Sequence, residues 1–169
     1  MVRLSHFILI ASIVFVFFSC AKSEKGAVGN SDAAPSFVLA DLKSNKVSLS
    51  DYKGRIVMLE FFASWCPPCQ VSAPDIKSVY EKYRDRGFVV LAISIDKGTD
   101  AAAAAGFFMR EFGLSYPALI DDGEVSRRYG VVSIPTSFII DRQGKVRSKH
   151  IGLSPDFKNT LSKEIETLL

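Results

Sequence analysis

Three cysteines, two histidines and one tryptophan stand among the 169 residues of this chain. Three cysteines are far too few for a disulfide-built scaffold, so the fold must rest on a hydrophobic core. No run of basic residues occurs: 21 lysines and arginines are interspersed with 18 acids, for a net charge of +3. That pattern gives a nucleic-acid surface little support. No repeat at solenoid period is present. A wholly disordered or collagen-like chain is also excluded, because 48% of the residues are hydrophobic, 11% aromatic and only 23% charged. The length suits one domain.

No apolar run is long enough to cross a membrane. The longest, Phe7 to Phe18, has twelve residues interrupted only by Ser12. As a helix it covers about 18 Å of a hydrocarbon core of about 30 Å. Arg3 precedes it, and Ser19-Cys20-Ala21 and Lys22 follow. A basic start, an apolar middle and small residues at the end are the plan of a secretory signal. An uncleaved anchor is the alternative. Phe17-Phe18-Ser19-Cys20 resembles the lipobox of bacterial lipoproteins, with phenylalanine where that pattern prefers leucine; the resemblance implies lipidation of Cys20. Residues 1–19 are therefore expected to be a lipoprotein-type signal and residues 20–33 a flexible tether, small and polar without periodicity.

The folded domain is expected over residues 34–169. Arg55 to Phe62 and Phe88 to Ile95 are near-continuous apolar runs, the mark of strands buried on both faces. Ser36 to Asp41, Lys46 to Leu49, Tyr116 to Ile120 and Thr136 to Ile140 are further strands, and Lys145 to Ile151 returns from a turn at Asp141–Gly144. Helices are expected from Pro67 to Arg86, from Thr99 or Asp100 to about Phe112, over Asp122 to Tyr129, and after Ser154 or Asp156. Alternation of these elements argues an α/β fold, a central mixed sheet with helices on both faces.

Trp65-Cys66-Pro67-Pro68-Cys69 follows a buried strand and opens a helix. A thiolate there is stabilised by the helix dipole and by unpaired N–H groups. Lowering a cysteine pKa from about 8.5 to about 7 raises the thiolate fraction at neutral pH from about 3% to about half. Cys66, first and expected to be the more exposed, should attack; Cys69, a turn further in, should resolve the mixed disulfide. Pro67 and Pro68 fit the first helical turn. Half a zinc site is the rival reading, but beyond the two thiols the domain offers only His150 as a nitrogen ligand. Cu(I) on the two soft thiolates is another, without a methionine or histidine cluster to support it. A peroxidase with a lone attacking cysteine fits less well than dithiol exchange. Glu60 is unusual, since a carboxylate inside IVMLEFF is costly to bury. Once buried, its pKa rises and it can act near neutrality; a partly exposed structural acid is the alternative. His150 is expected to be exposed and inert, and Phe107-Phe108 to be core.

FFASWCPPC followed by Pro74, the leader pattern APSF…LADL…VSLSDYKG, the extra helix and strand after the second core strand, and Gly130-Val131-Val132-Ser133-Ile134-Pro135-Thr136 together resemble the thioredoxin fold. They are most similar to its membrane-tethered TlpA/ResA-like branch. The resemblance implies that Pro135 is a cis-proline beside the thiols, that the backbone of Ile134 pairs with an extended substrate, that Trp65 shields the thiols, and that Glu60 accepts a proton from Cys69. Two departures stand out: no lysine lies between Phe88 and Ile95 to partner Glu60, and Ser72 stands where that branch often has glutamate. Pro74 matches a proline that kinks the active-site helix. The implied activity is thiol–disulfide exchange by an exported, membrane-tethered bacterial protein without organic cofactor or metal, served by an upstream membrane thiol donor. It would reduce cysteines of exported proteins such as apocytochrome c. A general disulfide oxidant or isomerase is the alternative in direction. Nothing in the sequence suggests more than a monomer.

Overall fold

The computed structural model describes residues 33–169. The expectations for the signal, for Cys20 and for the tether as far as residue 32 lie outside the described residues. None of the described helices is long and apolar enough to cross a membrane.

Seven strands form one mixed sheet: β1 (Val38–Asp41), β2 (Lys46–Ser48), β3 (Ile56–Phe62), β4 (Phe88–Ser94), β5 (Ala118–Ile120), β6 (Thr136–Ile140) and β7 (Val146–Ile151). Their spatial order is β2-β1-β5-β4-β3-β6-β7. The two apolar runs occupy its middle as expected. Every residue of β3 and β4 is buried, and the two strands run parallel from Ile56 opposite Phe88 to Phe62 opposite Ser94. Strand period two then sorts the side chains between two cores. Ile56, Met58 and Phe62 face one core, and Val57, Leu59 and Phe61 the other.

The first core is covered by α1 (Pro67–Tyr83), α2 (Ala101–Glu111) and α4 (Phe157–Leu168); α3 (Glu124–Arg128) lies on the second. Helices thus lie on both faces, unevenly. Gly87, at φ 95°, takes the left-handed conformation that ends the helical segment, after a single 3-10 turn over Arg84–Arg86. Pro74 lies inside α1, which runs on through it. Leu49, expected to close a strand, instead opens a 3-10 turn over Leu49–Tyr52. There Ser48 and Asp51 form a capping box, which ends β2 one residue early.

Two further expectations are corrected. Phe108 is core, but Phe107, its neighbour on α2, is 62% exposed, because adjacent helical residues point about 100° apart and only one can face the sheet. His150 is half-buried rather than exposed, since β7 alternates and turns Val146, Ser148 and His150 towards the protein.

Candidate active site

β3 ends at Phe62, and only a short turn separates it from α1. Asp96, just past β4, fixes that turn. Its carboxylate accepts from the Ser64 N–H (3.0 Å), the Ser64 hydroxyl (2.8 Å) and the Ser94 hydroxyl (2.7 Å). The sequence reading gave Asp96 no part. Its one signal was an acid closing an otherwise apolar strand run.

Cys66 is the N-cap of α1, in extended conformation, and its Sγ accepts the Cys69 N–H at 3.2 Å. Pro67 and Pro68 occupy the first two helical positions, where an N–H has no partner within the helix. Cys69 therefore carries the first N–H of the helix, and that group points at the Cys66 sulfur. The two sulfurs are bonded to each other, with Cα atoms 5.3 Å apart, so this is the oxidised form. Exposure does not separate the two cysteines as expected: Cys66 is 3% exposed and Cys69 2%. Position does separate them. Cys66 sits at the helix end, and Cys69 faces inward towards Glu60. Trp65 stands out on the surface at 66% exposure.

The Ile134–Pro135 bond is cis. Ile134 packs half-buried against both cores and precedes the β6 ladder, which begins at Thr136.

Glu60 lies in the middle of β3, opposite Ala92 of β4 and Ser137 of β6. It is 5% exposed, and its Oε2 has no hydrogen-bond partner among the described residues. Burial pushes its pKa well above the usual carboxyl range. No lysine faces it from β4, where Ala92 stands in register. Two small cavities, each of about 10 Å³, flank the carboxyl. One is shared with Cys69, Phe62, Ile76, Phe108 and Tyr116; the other with Ser72, Pro135, Ser137, His150 and Phe157. The structure thus brings Glu60, Cys69 and Pro135 together, and Ser72 stands beside them, buried, its hydroxyl donating to the Cys69 carbonyl at 3.1 Å. Tyr116 is a member the sequence did not reveal, since it read only as the start of a strand. Burial first, then the neighbouring Glu60 charge, raises its pKa, so it stays a neutral phenol. No three histidine, cysteine or acidic side chains converge into a metal-holding group among the described residues.

A buried strand delivering a CxxC pair to a helix N-terminus, with a cis-proline on the cavity behind it, is an arrangement that can be compared directly. The AhpC/TSA family pattern matches residues 31–149. The chain belongs to that family. Thiol-disulfide oxidoreductase ResA of Bacillus cereus is 40% identical over 127 residues, 75% of this chain and 70% of the relative. ResA of Geobacillus kaustophilus is 33% identical over 162 residues, 95% of this chain and 90% of the relative. Among solved structures, a candidate thiol:disulfide interchange protein DsbE from Chlorobium tepidum superposes with a TM-score of 0.74 at 38% identity, covering 81% of this chain and 95% of that one. This AhpC/TSA family member therefore has a thioredoxin-like fold and is a thiol–disulfide oxidoreductase.

Proposed function

We propose that the protein acts outside the cytoplasm as a reductant, tethered through a lipidated Cys20, and passes electrons to disulfides of exported proteins such as apocytochrome c. In the reduced form the Cys66 thiolate attacks one sulfur of the substrate disulfide. The S–S bond breaks, the substrate's other sulfur leaves as a thiolate, and a mixed disulfide joins Cys66 to the substrate. Cys69 then gives its proton to the Glu60 carboxylate and attacks the Cys66 sulfur. The second substrate thiolate leaves and takes a proton from water, and the enzyme is left as the Cys66–Cys69 disulfide. An upstream membrane dithiol returns it to the reduced form. Substrate backbone pairs with Ile134 as an added strand, in the stretch that the β6 ladder leaves free. Pro67 and Pro68 hold the helix end, and Pro135 closes the site opposite.

The observation that carries this reading is the placement of Glu60 and Cys69 on one buried cavity, directly behind a thiol that caps a helix. A thiol in apolar surroundings loses its proton reluctantly, and a carboxylate beside it supplies the base. Direction is decided by the reduction potential against glutathione. A value near that of thioredoxin, about −270 mV, marks a reductant, and one near about −120 mV overturns that assignment in favour of an oxidant. A disulfide-bonded CxxCH peptide, compared with an unrelated disulfide peptide, tests the substrate class. Mass spectrometry of the mature chain tests Cys20.

A further inference from the structure

A proton taken into a sealed interior has to leave it. On the Cys69 side of Glu60 the cavity is walled by Phe62, Ala73, Ile76, Ala92 and Phe108, with the Tyr116 phenol beside them. The other side is built differently. Glu60 of β3 is paired with Ser137 of β6, and Ser137 is paired with His150 of β7. Both pairings are antiparallel, so the three side chains stand in one row on the same face, with neighbouring Cβ atoms about 5 Å apart. All three line the second cavity, whose 10 Å³ is room for the centre of about one water molecule. At the far end His150 Nε2 lies 2.9 Å from Glu164 Oε2 of α4, and the Ser148 hydroxyl donates to the same oxygen at 2.8 Å. The His150 and Glu164 side chains are 20% and 29% exposed, so this end reaches solvent. The Phe157 ring meets the imidazole edge-on at 5.5 Å and holds it in place.

We propose that the row Glu60–Ser137–His150, ending on Glu164, is the proton port of the buried carboxyl, with His150 as the positioning residue that exchanges protons with water. This rests on the reading of Glu60 as the base for Cys69. The proton moves from the Cys69 sulfur to the Glu60 carboxylate, then through the Ser137 hydroxyl or a water in the cavity to the imidazole. It leaves from the imidazole to bulk water, steadied by the Glu164 carboxylate; no electrons move along the row. Imidazole carries one nitrogen that can accept a proton and another that can donate one, which suits it to the outer position. Groups facing Glu60 are Cys69 and Ser72 from α1, Tyr116 ahead of β5 and Ser137 from β6. Those facing His150 are Ser137, Ser148 and, from α4, Glu164.

The test follows both half-steps of exchange by stopped flow in the full chain. In the wild type the resolving step is expected to depend on pH. His150→Gln keeps a hydrogen-bonding side chain but cannot change charge. It is expected to slow the resolving step about tenfold at pH 7 and to flatten that pH dependence, with attack by Cys66 unchanged. Added to Glu60→Gln, it should slow nothing further, because the port then has no proton to carry. Equal slowing by His150→Gln in both backgrounds marks a structural role and overturns the port. A slow Glu60→Gln beside a wild-type His150→Gln overturns the port and leaves the base standing. A wild-type rate for Glu60→Gln overturns both. Should His150→Gln melt early, Glu164→Gln replaces it: a shifted pH profile is expected, and an unchanged one overturns the proposal.

Discussion

The two faces of the sheet are made from the same strands and differ in nearly everything else. Behind Val57, Leu59 and Phe61 the core is apolar and largely aromatic, with an open cleft of about 210 Å³ at its margin beside Val57 and Ile140. Phe37, Phe61, Tyr129 and Phe138 form an aromatic cluster with ring centroids between 5.1 and 6.5 Å apart, most pairs steeply tilted to edge-on. The Tyr129 hydroxyl finds its partner in the Pro35 carbonyl at 2.7 Å. Behind Ile56, Met58, Glu60 and Phe62 the packing includes both cysteines, an unpartnered carboxyl and two cavities at that carboxyl. The first of these faces buries no acid of the sheet and no thiol. The other carries a local departure from good packing, confined to one residue of β3 and its neighbours, where the chemistry needs a titrating group. Stability and reactivity are thus divided by the period-two alternation of a single strand.

The division is easiest to break at the thiols. Cys66→Ser should abolish exchange altogether, whereas Cys69→Ser should accumulate a mixed disulfide through Cys66, visible by mass spectrometry after incubation with a disulfide peptide. Next in size is Glu60→Gln, expected to slow the resolving step by about 10²-fold, at the lower end of what a general base supplies, while leaving first attack intact. On the opposite face, Phe61→Ala should cost about 3–5 kcal/mol in denaturant unfolding, with exchange per folded molecule preserved. If exchange fell with it, the two faces would not be independent.

The pH dependence of stability sharpens the contrast. Burial raises the Glu60 pKa above its ordinary value of 4.5, so the folded state holds its proton where the unfolded chain has released it. Below pH 4.5 the group is protonated in both states and costs nothing. As pH rises from there towards the folded-state pKa, stability is progressively lost. Glu60→Gln removes that loss, so its advantage over the wild type in thermal melts should grow as pH rises above 4.5 and level off once the folded-state carboxyl ionises. A constant difference would mean that the carboxyl is not protonated in the fold. The smallest effect is expected from Tyr129→Phe, about 1 kcal/mol for the hydrogen bond to Pro35, with no change in exchange.

Much of this was legible before the structure. Uninterrupted apolar runs marked β3 and β4 because strands buried on both faces leave no room for polar residues. The CxxC between strand and helix marked the reactive end, and the segment ending in Ile134-Pro135-Thr136 marked the cis-proline by resemblance. What could not be read was lateral register. Ser137 and His150 fall beside Glu60 only because β6 and β7 pair as they do, across an irregularity at Ile139 and Ile140. A polar strand such as VRSKHI gives no hint of that offset. Asp96 and Tyr116 were missed for a related reason: each reaches the site from a neighbouring strand, not from the motif. The relative exposure of Cys66 failed because helix position predicts what a group bonds to better than what covers it.

The end at which the chain enters the fold has a consequence for reach. Ala33 bridges Lys145, and the Ala34 N–H donates to the Gly144 carbonyl, beside the turn between β6 and β7. That turn sits at the start of β3, where Val57 faces Ile140, whereas Cys66 follows the finish of β3. Seven strand residues, about 20 Å, separate the two ends. The point at which the described chain joins the sheet and the reactive sulfurs therefore lie at opposite ends of β3, so a partner reaching the sulfurs meets the other end of the sheet from Ala33.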